Sequence, residues 1–167
     1  MFNCLFREIN NFQNKKYLFV FFLVLFWFAN SNPKGDLTKQ TPIEIIVKLN
    51  GDSSKPYMFE PNFLKFETGK LYKLKLINLS RSKHYFTSIK FSNSIFTRKI
   101  QVSHNEETIA EIKGDISEVE VFPSHELEWW FVPVKTGIFD DLQCSIIDNK
   151  SKKSHAQLGM VGRIVVE

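Results

Sequence analysis

The chain has 167 residues, with 22 Lys plus Arg against 18 Asp plus Glu. That length accommodates a short leader and one globular domain, and no repeat or low-complexity tract divides it further. The net charge of +4 comes without a basic stripe interleaved with stacking aromatics, which excludes a nucleic-acid surface.

Residues 1–31 read as a secretory leader. Arg7, Lys15 and Lys16 against Glu8 form a basic n-region, and residues 17–29 are an uncharged apolar run. A membrane-spanning helix needs about 20 apolar residues, so the shorter run is an h-region. Ala29 and Ser31 place small residues for cleavage before Asn32. The long n-region and the bulky Phe and Trp side chains keep an uncleaved N-terminal anchor as the alternative to this cleaved signal peptide, and only in that form is contact with a membrane expected. In both cases residues 32–167 are one exported domain, near neutral with 19 basic and 17 acidic side chains. A Lys, Asn, Ile and Phe bias suggests an AT-rich bacterial genome and hence a periplasmic location. Cys4 precedes the apolar run, where lipoprotein processing does not use it. Cys144 is left without a disulfide partner, and an unpaired thiol in an oxidising compartment calls for burial, an intermolecular bridge or a metal.

The rest of the chain alternates like strands and lacks helical periodicity. Residues 43–49 form an opening strand, ended by a turn at Asn50, Gly51, Asp52 and Ser53. The segment 57–61 follows, then short alternation over 64–66 and a turn at 67–69. Residues 71–77 place Tyr72, Leu74 and Leu76 on one face and Lys73 and Lys75 on the other. Residues 85–91 are strand-like. The stretch 92–105 is ambiguous, and a short helix fits between Phe96 and Ala110. Strands follow at 118–122 and 126–132, residues 133–137 turn, Ile138 and Phe139 lead toward Cys144, and 162–166 close the chain. About eight short strands separated by turns indicate an all-β two-sheet sandwich. Within it Trp129 and Trp130 belong to the core, and His104 and His125 are solvated loop residues.

The chemistry concentrates near the C-terminus. Cys144 is followed after ten residues by His155, then by Met160 and Gly162, while His84 lies far upstream. A thiolate and two imidazoles in a trigonal arrangement, with a thioether as a weak axial partner, suit copper cycling between Cu(I) and Cu(II). In a sandwich of this order the end of the strand containing Asn78 and the loop between the last two strands meet at one pole. Phe86, Phe139 and one of the Trp pair are available as an apolar shell.

The His-x4-Met spacing followed by Gly resembles the copper loop of the cupredoxins, the plastocyanin and azurin family of blue copper proteins. The likeness covers nearly all of residues 32–167. Tyr57, Phe59, Pro61, Leu64, Gly69, Leu74, Asn78, His84 and Phe86 look like the family's first half. Trp130, Phe131, Gly137, Phe139, Cys144, His155, Gly159, Met160, Gly162, Ile164 and Val166 look like its second. The resemblance implies a cupredoxin-like Greek-key β-sandwich and one type 1 copper ion held by His84, Cys144 and His155, with Met160 axial. It also implies an electron path through the exposed edge of His155. Two departures stand out. The interval between Cys144 and His155 is longer than in plastocyanin-like members, where an outward bulge leaves the site intact. The approach from Phe139 to Cys144 is one residue longer, which a β-bulge absorbs.

The function expected is one-electron transfer by an exported blue copper protein, an electron carrier rather than a catalyst. The alternative is a copper-binding module for storage, delivery or sensing, although the domain has neither Met-rich nor His-rich tracts. A hydrolase lacks an oxyanion motif or paired carboxylates. A binuclear copper centre lacks its second cysteine, and a multicopper oxidase is excluded by size and by the count of 4 His. The partner is a redox protein docking near His155 and Lys150, Lys152 and Lys153, and the chain is monomeric.

Overall fold

The computed structural model describes residues 39–52 and 54–167. The expected leader, with Cys4 and the run 17–29, lies outside the described residues, as does Ser53 of the first expected turn.

Among the described residues, eleven strands form two mixed sheets. In chain order they are β1 (Ile43–Asp52), β2 (Lys55–Glu60), β3 (Phe63–Phe66), β4 (Tyr72–Asn78), β5 (His84–Thr87), β6 (Ile95–His104), β7 (Glu107–Ile112), β8 (Glu118–Val121), β9 (Glu126–Pro133), β10 (Gly137–Gln143) and β11 (Val161–Val166). One sheet runs β2-β1-β4-β9-β6-β7 and the other β3-β11-β10-β5-β8. Alternation explains the pairing. Tyr72, Leu74 and Leu76 of β4 face inward opposite Phe131, Trp129 and Leu127 of β9, while Lys73 and Lys75 point out opposite Trp130 and Glu128. One face therefore meets the second sheet and the other meets water.

The core is aromatic. Phe66, Phe91 and Phe131 are fully buried, with ring centroids 5.2–5.4 Å apart. Such pairs add about 0.5–1.5 kcal/mol each beyond the area they bury. Trp129 joins this core, but Trp130 lies on the outer face with Lys73 and Lys99 over its ring. The expectation that both Trp are core is corrected there: adjacent strand residues must point to opposite faces.

Other expectations also change. Residues 89–91 are not strand but part of a single helical turn, α1 (Ile89–Ser92), which drops Phe91 into the core. No helix occupies 96–110; β6 and β7 form a hairpin there, and His104 closes β6 rather than sitting in a loop. Asn50 and Gly51 remain within β1 at an irregularity in its pairing with β2, and the chain reverses beyond Asp52. The extra residue before Cys144 is absorbed as expected, by a register shift between Phe139 and Leu142.

Candidate metal centre

Four segments meet at one pole of the sandwich: the end of β4, the start of β5, the β1–β2 hairpin and the connection from β10 to β11. Asn78, the last residue of β4, is fully buried and organises the first of these junctions. Its side-chain amide donates to the carbonyls of Ser82 and Val121, both at 2.8 Å, and its oxygen accepts from the Ser80 amide at 2.9 Å and hydroxyl at 2.8 Å. Every buried polar atom of Asn78 is thus partnered. The bond to Val121 also fastens the loop to β8, the strand on which Val121 pairs with His84.

His84 is completely buried at the head of β5. Its Nε2 lies 3.1 Å from the carbonyl oxygen of Gly51 and 2.8 Å from the Ser80 hydroxyl. A carbonyl only accepts, so Nε2 carries the hydrogen and Nδ1 presents its lone pair. That lone pair faces Nδ1 of His155 at 3.2 Å and Sγ of Cys144 at 3.9 Å, and the His155 nitrogen lies 3.4 Å from the same sulfur.

The connection carrying Cys144, His155 and Met160 is closed by its own backbone. Cys144 N–H donates to Met160 O at 3.2 Å, Ala156 N–H to Cys144 O at 2.9 Å, His155 N–H to Ile146 O at 2.8 Å, and Met160 N–H to His155 O at 2.8 Å. The Tyr85 N–H points at the Cys144 sulfur from 3.3 Å. Met160 is fully buried and shares backbone bonds with both Cys144 and His155.

Burial decides the protonation of the site. It pushes His84 down to about 4, helped by the charge His155 would carry, and it lowers His155 against the opposing pull of Asp148. The Cys144 thiol is raised by burial, partly offset by the Tyr85 and Ile146 amides. At neutral pH both imidazoles are therefore ready to ligate, and uptake of a metal ion releases the thiol proton.

His84, Cys144 and His155 bring their donor atoms within 4.8 Å of one another, and among the described residues no carboxylate joins them. Bond lengths of about 2.0 Å to imidazole and about 2.3 Å to thiolate put the nitrogens of a trigonal centre ~3.5 Å apart and each ~3.7 Å from sulfur. The observed 3.2, 3.4 and 3.9 Å fit such a centre. Structural zinc takes a fourth nitrogen, oxygen or thiolate donor, whereas two imidazoles and a thiolate, with a methionine in the same closed loop, suit copper.

No family model and no curated protein matches the sequence. Solved structures do. Over 81% of this chain and 29% of its own length, a laccase from Pediococcus acidilactici superposes with a TM-score of 0.52 at 13% identity. A multicopper oxidase superposes with a TM-score of 0.51 at 14% identity, over 77% of this chain and 46% of its own. The fold is cupredoxin-like. The chain spans under half the length of these two proteins. Auracyanin A, a "blue" copper protein from Chloroflexus aurantiacus, aligns along 100% of its length and 76% of this chain, at 16% identity and a TM-score of 0.46.

The structure brings His84, Cys144 and His155 together as the sequence suggested and sets Met160 in the same closed loop. It corrects the exposed histidine edge implied by the cupredoxin resemblance, since His155 is only 2% exposed. Tyr57 covers one ring face, with centroids 4.0 Å apart and planes at 20°. The imidazole instead borders a recess of about 400 Å³, lined also by Arg81, Lys83, Ile147 and Lys150. Lys152 and Lys153 do not line it. Sequence reasoning missed Gly51, Ser80, Tyr57 and Asp148 as supports of the site. The one local signal was the Asn50-Gly51 pair, which marks backbone that a side chain would obstruct.

Proposed function

We propose that the chain is a type 1 copper protein that carries single electrons and catalyses no substrate reaction of its own. The observation that carries this reading is the convergence of two buried imidazole nitrogens and a buried thiol sulfur within 3.2–3.9 Å, with His84 held by Gly51 and Ser80, the sulfur by the Tyr85 amide, and the His155 ring by its stack on Tyr57. His84, Cys144 and His155 would hold the metal, with Met160 as a fourth, weaker donor. Bound copper supplies a Cu(I)/Cu(II) couple, and a donor set that does not rearrange suits rapid exchange. Gly51 and Asn78 hold His84, the backbone of the 144–160 connection holds the other donors, and the Tyr85 amide directs a hydrogen bond to sulfur. Burial of His84, Cys144, His155 and Met160 keeps bulk water away.

Electrons pass to and from a partner protein docked over the recess beside His155. Arg81 and Lys150 give its rim positive charge, while Lys83 is paired with Glu120 at 2.7 Å. Residues 32–167 form the copper domain of an exported, periplasmic protein whose leader is residues 1–31.

Voltammetry of the copper-loaded protein tests the assignment against storage or delivery. A carrier gives a reversible one-electron wave and keeps its metal through repeated cycles. Release of copper on reduction, or no reversible wave, would favour the storage reading.

A further inference from the structure

The interval between Cys144 and His155 is not a loose outward bulge. The Asp148 N–H donates to Lys153 O at 2.8 Å and the Lys152 N–H returns to Asp148 O at 3.0 Å, while Ile147 bridges Ser154. Inside this closed turn one oxygen of the Asp148 carboxylate accepts the amides of Lys150 at 3.1 Å and Ser151 at 2.7 Å. Its other oxygen accepts the Tyr57 hydroxyl at 2.8 Å, across 91 residues of sequence.

Tyr57 comes from β2, and two contacts fix its place. Its hydroxyl is held by Asp148, and its ring lies parallel on His155 at 4.0 Å. The ring is 7% exposed, so little of it serves any purpose but packing and this stack. His84 meets the same ring edge-on at 6.1 Å. The backbone that supplies Tyr57 also brings the Gly51 carbonyl to His84, so one hairpin supports both histidines.

We infer that Tyr57 is a positioning residue for the metal centre, and that the long 144–155 interval serves to hold it there through Asp148. This rests on the reading of the site as a copper centre. The stack denies His155 the rotation that would carry its Nδ1 away from Cys144, and it retains the ligand in both oxidation states. The ring's electron-rich face and the carboxylate behind it both favour the more positive, oxidised state, so the clamp holds the reduction potential down.

The test compares Tyr57→Leu, Tyr57→Phe, Asp148→Ala and Asp148→Asn with the wild type. In metal-free protein, the His155 ring protons are expected to show an upfield ring-current shift that Tyr57→Leu abolishes and Tyr57→Phe retains. With copper, Tyr57→Leu and Asp148→Ala are expected to weaken Cu(I) affinity about 10- to 100-fold in competition with a chromophoric chelator. Both should also raise the midpoint potential, because Cu(II) affinity falls further still, and Asp148→Asn, which can still accept the hydroxyl but lacks the charge, should restore most of the Cu(I) affinity and less of the potential. A folded Tyr57→Leu or Asp148→Ala protein with unchanged Cu(I) affinity and unchanged potential would overturn the inference. The metal-free ring shift reads the clamp even if the protein proves not to be an electron carrier, so the two failures are distinguishable.

Discussion

His84 turns its Nδ1 toward Cys144 and His155 because Gly51, 33 residues earlier, takes the hydrogen of its Nε2 at 3.1 Å. The tautomer and the ring orientation are thus chosen by a backbone carbonyl on a different strand, before any metal arrives. Gly51 has φ +110, and a Cβ there would lie 2.4 Å from the Tyr57 Cα and 2.6 Å from the Pro56 carbonyl oxygen.

Gly51→Ala should therefore act on stability and site together. Backbone strain of this kind costs roughly 1–3 kcal/mol, and displacement of the carbonyl should weaken metal affinity about 10-fold. Urea unfolding of the metal-free protein and chelator competition read the two effects. An unchanged midpoint with unchanged affinity would show that neither contact matters.

Asn78→Ala removes four hydrogen bonds from a residue with no exposed surface. Losing the donor to the buried Val121 carbonyl and the acceptor for the Ser80 amide should cost roughly 2–3 kcal/mol of folding stability, while the Ser82 carbonyl keeps the Ser80 hydroxyl. Because residues 78–84 lose their anchor, amide exchange should quicken at Ser80 and Ser82 more than in the core of β9. Uniform protection across both would contradict the role assigned to Asn78.

The metal-free protein should lose stability in acid well above the range of carboxylates. His84 is held down to about 4 from an ordinary 6.5 by burial and by His155. Between those values the unfolded chain binds a proton that the folded chain refuses, so stability is intact above about pH 6.5 and falls progressively toward pH 4. The loss is on the order of 3 kcal/mol. Denaturant midpoints across this range should show the slope in wild type and a shallower one in His84→Gln. A slope that persists unchanged in His84→Gln would place the effect elsewhere.

The recess beside His155 makes a charge-dependent prediction about electron exchange. Oxidation of the reduced, copper-loaded protein by hexacyanoferrate(III), an anion, should slow by about 10-fold at low salt when Arg81 and Lys150 are both changed to Glu. Lys152→Ser with Lys153→Ser should change it little, since neither side chain lines the recess. Equal effects from the two pairs would mean that net charge, not the recess, governs approach.

Much of the sandwich was legible because its strands bury one face. In β4 and β9 the inward residues are Tyr72, Leu74, Leu76, Leu127, Trp129 and Phe131, and period-two alternation is visible without a structure. The β6–β7 hairpin was not legible, because all of β7 and the far end of β6 are exposed and no buried face enforces the pattern. The α1 turn is four residues long, too short for a helical period. Cys144, His155 and Met160 were visible through their spacing and residue types. Tyr57 and Asp148 were not, since their value depends on a meeting between residues 91 apart that only the closed fold creates.

The visible and electron paramagnetic resonance spectra of Cu(II)-loaded protein beside Cys144→Ser decide whether the site is a type 1 copper centre. The type 1 assignment requires an intense thiolate-to-copper absorption with small parallel hyperfine splitting in the wild type, both absent in the variant. Weak ordinary copper spectra in the wild type, or spectra that survive the loss of Cys144, would contradict it.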